Sequence, residues 1–242
     1  MKVLQGYKAL FAEGPYWDSQ EQVLLYVDLP NKAVIRHDIK TDQITRWLFE
    51  TPITAIMKYD EMHYILVTNK KLILFNTCTL EQSDYYVFDN LESYHLLNDA
   101  KMDKHKNIWI GTVDDRFRYF KENPETALQK YPEQPSKFYR LSFNKQLTEY
   151  DFPITLSNGI SLNEDEGILY HVDSATQGIW KMSYDGDGNI NNRELFFECD
   201  QLLGFPDGIT IDENGDLWAP LFKSKFIVEN YNDKSIMYKI SG

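Results

Sequence analysis

Cysteine is nearly missing from this chain. Of 242 residues only Cys78 and Cys199 carry a thiol, far apart and outside any CxxC pair. That excludes a disulfide framework and leaves the expectation of two buried thiols in a reducing compartment. Long apolar runs are missing too. No stretch approaches the ~18–20 residues of a membrane span, and "MKVLQGYKALFAEGP" lacks the unbroken apolar core of a signal peptide, so a cytoplasmic protein is expected. Basic charge is in deficit: 25 Lys and Arg stand against 37 Asp and Glu, a net charge of −12. Phosphate binding needs clustered cations, so nucleic acid and anionic membranes are excluded as partners. Helical periodicity is also scarce.

What the chain does have is aromatic weight, with 16 Tyr, 14 Phe and 5 Trp. These residues fall in short runs such as "VLLYVDL", "HYILVT", "NIWIGT", "GILYHVD" and "DLWAPL". Each run is rich in β-branched and aromatic side chains and is bounded by Asp, Asn, Gly or Lys, which is the pattern of a strand. The stretch 114–135 is an excursion between strands. The fold class is all-β.

The runs repeat. "WDSQEQVLLYVD", "YDEMHYILVT", "MDKHKNIWIGT", "LNEDEGILYHVD" and "IDENGDLWAP" align on Asp18, Asp60, Asp103, Asn163 and Asp212. Units of roughly 40–60 residues with about four strands each match the blades of a β-propeller better than a sandwich. Five residues before each anchor stand Glu13, Ala55, Asn98, Asn158 and Asp207. In a radial repeat, equivalent positions share one ring about the axis. Four of the five offer a side-chain oxygen, and Glu13, Asn158 and Asp207 are each followed by glycine, which allows unusual backbone angles and close approach. Two carboxylates and two carboxamides on one axis form a hard-oxygen site whose natural partner is a cation.

Other motifs carry less. "DGDGNINNRE" opens like a calcium-binding loop, but Ile190 and Phe196 stand where that loop needs Gly and Glu, so it reads as a hairpin turn. The five histidines lack metal-ligand spacing, and His95 and His171 read as surface or strand-packing residues. Ser157 has no GxSxG elbow around it. Asp99 reads as a residue that fixes its loop. Asp28 and Asp173 read as braces of the blade turns.

At "AEGPYWDSQEQVLLYVD", "NDAKMDKHKNIWIGT", "LSNGISLNEDEGILYHVDS" and "FPDGITIDENGDLWAP" the chain resembles the regucalcin (senescence marker protein), gluconolactonase and luciferin-regenerating enzyme family. The resemblance implies a six-bladed β-propeller with one divalent cation (Ca, Zn, Mn or Mg) on its axis. It implies Glu13, Asn158 and Asp207 as metal ligands and Asn98 as a substrate contact. It implies a small-molecule lactone as substrate, opened by water, with Asp207 as candidate general base and a hydroxide generated at the metal as the competing assignment. A calcium-binding regulatory protein without turnover is the alternative. Two substrate positions depart from the sugar-lactone members. Leu96 stands where those carry Arg, and Arg116 stands where those carry an acid. Losing one hydrogen-bonding partner to a polyol costs ~1–3 kcal/mol, which favours a less polar lactone or ester. Residues 1–242 read as a single domain of about five blades, divergent from about residue 222, with "SIMYKI" as a replacement strand. Open sheet edges in such a molecule invite self-association.

Overall fold

The computed structural model describes residues 6–115, 136–200, 202–222 and 236–241. It is all-β, with five successive antiparallel sheets of the propeller-blade type. The chain divides into two compact units, Met1–Leu91 and Glu92–Gly242.

The first unit holds two sheets. Strands β1 (Ala12–Asp18), β2 (Val23–Asp28), β3 (Ala33–Asp38) and β4 (Ile44–Leu48) form one meander. Strands β5 (Ala55–Lys58), β6 (His63–Val67), β7 (Lys71–Asn76) and β8 (Gln82–Val87) form the next. Alternation along each strand gives every sheet an apolar face. Between these two sheets lie Val23, Leu25, Val27, Ile53, Ile56, Leu66 and Phe75, all buried.

In the second unit, β9 (His95–Met102), β10 (Ile108–Asp114), β11 (Phe138–Leu141) and β12 (Leu147–Tyr150) make the third sheet. The fourth is β13 (Ser157–Asn163), β14 (Ile168–Asp173), β15 (Gly178–Tyr184) and β16 (Ile190–Glu198). The fifth joins β17 (Phe205–Pro206) and β18 (Thr210–Ile211) to one side of β19 (Leu217–Phe222), with β20 (Ile236–Ile240) on the other. "SIMYKI" therefore does supply a strand. Trp109, Phe138, Ile160, Leu169 and Met182 fill the space between the third and fourth sheets. Tyr170, Val172, Ile179, Leu217 and Ala219 do so between the fourth and fifth.

The repeat anchors form the turns that start each sheet. Asp18 Oδ1 accepts the amides of Gln20 and Glu21, and Asp60 Oδ1 those of Met62 and His63. Asp103 Oδ1 accepts His105 and Asn107, and Asp212 Oδ1 accepts Asn214 and Asp216. A short carboxylate that satisfies two amides of its own turn is why Asp recurs at this position. Asn163 makes the weaker version, 3.4 Å from the Glu166 amide. Asp28 and Asp173 brace the chain as expected, Asp28 on the amides of Leu10 and Phe11, Asp173 on those of Thr155 and Leu156. One expectation fails. Cys199 is buried, but Cys78 is exposed, because it sits in the turn after β7 with its amide on Asn76 Oδ1.

Candidate functional site

In four of the sheets the first strand departs from regular pairing, at the oxygen-bearing position or, for Glu13, directly after it. In β1, Glu13 pairs with Val27 and Tyr16 with Leu25, so Gly14 and Pro15 stand against Tyr26 alone. In β9, Leu97 pairs with Thr112 and Ala100 with Ile110, so Asn98 and Asp99 stand against Gly111. In β13, Ser157 pairs with Asp173 and Ile160 with His171, so Asn158 and Gly159 stand against Val172. Between β17 and β18, the three residues Asp207, Gly208 and Ile209 stand against Ala219 and Pro220. Each strand carries one extra residue, the definition of a bulge, which bends the strand and re-aims a side chain. Strand β5, where the equivalent residue is Ala55, pairs without any shift. The bulge goes with the oxygen.

Within the second unit the bulges bring Asn98, Asn158 and Asp207 together. Asn98 Nδ2 donates to the Ser157 carbonyl at 2.8 Å and to Asn158 Oδ1 at 3.3 Å. Asn158 Nδ2 donates to Ser174 Oγ at 3.0 Å, and Ser174 Oγ in turn donates to the Pro206 carbonyl at 2.5 Å. The Asn158 side chain also hydrogen-bonds Asp207. Backbone contact is as close: the Gly159 amide donates to the Asp207 carbonyl at 3.1 Å. A Cβ at position 159 would lie 2.5 Å from both Asp207 O and Ile209 N, so glycine is required there for approach. Gly14 is required for its angle instead, with φ +53°. Gly208 has open space and no unusual angle.

Asp99 belongs to this group. Its carboxylate takes the Ala100 amide at 2.8 Å, which fixes the bulge as expected, but its charge also faces Asp207. Both carboxyls keep some accessible surface yet sit deep among protein atoms. Burial raises Asp99 to about 6. Burial, then repulsion from Asp99, raises Asp207 to about 6. Of the influences on Asp207 from described residues, none is cationic. Lys101 partly offsets the burial of Asp99, and among the described residues Asp207 has no such cation. Two crowded carboxylates and two carboxamide oxygens are a donor set that suits a hard divalent cation. Among the described residues no three His, Cys, Asp or Glu side chains are placed to hold a metal by themselves, so a cation held here would draw on the carboxamides as well.

Glu13 lies in the first unit, where it lines a cleft of ≈ 430 Å³ with Tyr7, Pro15, Leu24, Tyr26 and His37. Leu96 is 7% exposed and pairs opposite Val113, so it offers little surface to a ligand. Arg116 falls outside the described residues. The calcium-loop lookalike is a turn. Asp185 Oδ1 accepts the amides of Asp187 and Asn189, and its other oxygen takes Asn189 Nδ2 at 2.7 Å. Sequence reasoning set Asp99 aside and missed Ser174; the Ser in "VDS" following a turn-bracing Asp was the available signal.

The blade-type sheets define a β-propeller, with oxygen-bearing side chains gathered at the bulges of its second unit. The chain belongs to the family described as SMP-30/Gluconolactonase/LRE-like region, whose pattern it matches over residues 11–241. It is 29% identical over 223 residues to a Bacillus subtilis protein named for a sugar lactone lactonase, YvrE, covering 91% of this chain and 71% of the relative. A solved luciferin-regenerating enzyme superposes with a TM-score of 0.77 at 22% identity, covering 90% of this chain and 71% of that one. A calcium-binding protein, regucalcin, from Agrobacterium tumefaciens superposes with 0.76 at 18% identity, covering 90% and 70%. Both likenesses show the propeller fold. Family membership suggests lactonase activity.

Proposed function

We propose that the chain is a divalent-metal-dependent lactonase, which opens a sugar or related lactone by water attack, with Asn158 and Asp207 as ligands. The observation that carries this reading is the meeting of Asn98, Asn158, Asp99 and Asp207 at three bulges, with Asp207 raised to about 6. A divalent cation held there would polarise the lactone carbonyl and steady charge developing on its oxygen. Asn98, whose Nδ2 is engaged by Ser157 and Asn158, offers its Oδ1 to a hydroxyl of the substrate, and Asp207 takes the proton from the attacking water. A cation on its carboxylate would lower the Asp207 pKa and leave it a modest base. Leu96 supplies no hydrogen bond, which favours a less polar lactone over a polyol. Free thiols at Cys78 and Cys199 suit a cytoplasmic setting.

The test is turnover of sugar and aliphatic lactones by protein stripped of metal and then given Ca²⁺, Mn²⁺, Zn²⁺ or Mg²⁺. Activity restored by one cation and lowered about 10²-fold or more in Asp207→Asn supports the reading. A folded, metal-loaded protein that turns over no lactone rejects it and leaves a calcium-binding protein without turnover.

A further inference from the structure

The bulge of β13 lies between two register pairs, Ser157 with Asp173 and Ile160 with His171. One side-chain bond crosses it. Ser157 Oγ lies 2.7 Å from His171 Nε2, and both residues are fully buried. Gly111 makes room for the hydroxyl, since a Cβ there would lie 1.7 Å from Ser157 Oγ. The Phe138 ring packs on the imidazole with centroids 4.8 Å apart. Burial, helped by the charge of Arg193, lowers the His171 pKa to about 3 and keeps the imidazole neutral. Among the described residues its Nδ1 has no hydrogen-bond partner. A buried orphan nitrogen is unfavourable, and an apolar ring would avoid it. The imidazole is retained against that cost, and what it touches is the residue at the root of the carboxamide pair.

Ser157 contributes twice to the site. Its carbonyl takes the Asn98 carboxamide at 2.8 Å, and its peptide leads directly into Asn158. We infer that His171 is a positioning residue: through the Ser157 hydroxyl it clamps the β13 bulge, and so sets the Ser157 carbonyl under Asn98 and the Asn158 side chain beside Asp207. Its consequence for metal binding and turnover rests on the lactonase reading; the clamp itself does not. The Gly159 amide, which donates to the Asp207 carbonyl, sits in the bulge and reports on it directly.

Three variants test this in the full chain: His171→Phe, His171→Gln and Ser157→Ala. The readouts are amide hydrogen exchange at Gly159 by NMR, Mn²⁺ affinity by calorimetry, and kcat and KM on the best lactone. His171→Phe removes the orphan nitrogen but leaves the buried Ser157 hydroxyl unpaired, and as the two effects oppose each other its Tm should change little. Its Gly159 amide should nevertheless exchange about 10-fold faster, with Ile65 in the second sheet unchanged, and Mn²⁺ affinity should fall about 10- to 100-fold, the usual effect of losing a residue that orients a ligand. His171→Gln, whose amide reaches the Ser157 hydroxyl, should recover both. A merely structural histidine would lower Tm and leave the local exchange and the Gln rescue unseen. If the Phe variant fails to fold, Ser157→Ala breaks the same bond with little change in volume and carries the same readout. Wild-type Gly159 exchange in a folded variant lacking the bond overturns the inference. If wild-type protein neither binds Mn²⁺ nor hydrolyses a lactone, the functional reading falls, and Gly159 exchange alone decides the clamp.

Discussion

Asp99 and Asp207 set the pH behaviour of the site at the scale of single residues. Burial raises each to about 6, with mutual repulsion adding to Asp207. A carboxyl whose folded pKa lies above its unfolded value stabilises fully below the unfolded value and loses that contribution as pH rises through the folded one. Metal-free protein should therefore lose stability between about pH 4 and pH 7, by roughly 2 kcal/mol for the pair once their partial exposure is allowed for. Asp173, also raised by burial, adds to the same slope. Against their burial, Asp18 is lowered first by Lys58, Asp28 by the Asn31 and Tyr7 side chains, and Asp60 by the Met62 amide and His63, so their opposite contribution falls at more acidic pH. Urea titrations across this range on wild type and Asp99→Asn separate the terms. Asn cannot ionise and spares Asp207 the repulsion, so the slope should flatten; an equal slope in both proteins would rule out the pair as its source. Ca²⁺ or Mn²⁺ should abolish the slope, since a cation favours the ionised form.

At the scale of the element, the bulges turn a regular meander into a site, and Gly159 shows what they demand. Alanine there meets backbone atoms of Asp207 and Ile209 at 2.5 Å, which only a backbone shift relieves. Gly159→Ala should cost about 2–4 kcal/mol by urea denaturation, while Gly208→Ala, with open space around it, should stay within about 0.5 kcal/mol. Equal costs would mean that the close approach is not a constraint. The strands and their anchors were legible in sequence, because alternation and an Asp that caps its own turn are local signals. The equivalence of Asn98, Asn158 and Asp207 was legible because the repeat carries phase. The bulges were not, since one extra residue is defined only against a partner strand. For the same reason Asp99 was set aside: its neighbour Asp207 is 108 positions away in sequence. His171 reads as an ordinary strand residue until Ser157 is seen across the bulge.

At the scale of the whole molecule, the five sheets do not end alike. The first four each close with a fourth strand, whereas in the fifth β17 and β18 share one side of β19 and β20 pairs only β19 among the described residues. Among the described residues the far side of β20 is an edge, the feature that strands from other chains join. Charge normally protects such an edge. Here Lys239 is engaged 2.7 Å from Asp216, and Met237 beside it is 55% exposed. We expect reversible self-association in sedimentation velocity, with the weight-average coefficient rising over about 10–100 μM, and we expect Met237→Lys to suppress it by placing an unpaired cation on the edge. The net charge of −12 opposes association through long-range repulsion, so added salt should strengthen it in wild type. A coefficient independent of concentration, or association unaltered in Met237→Lys, would show that β20 is not the docking edge.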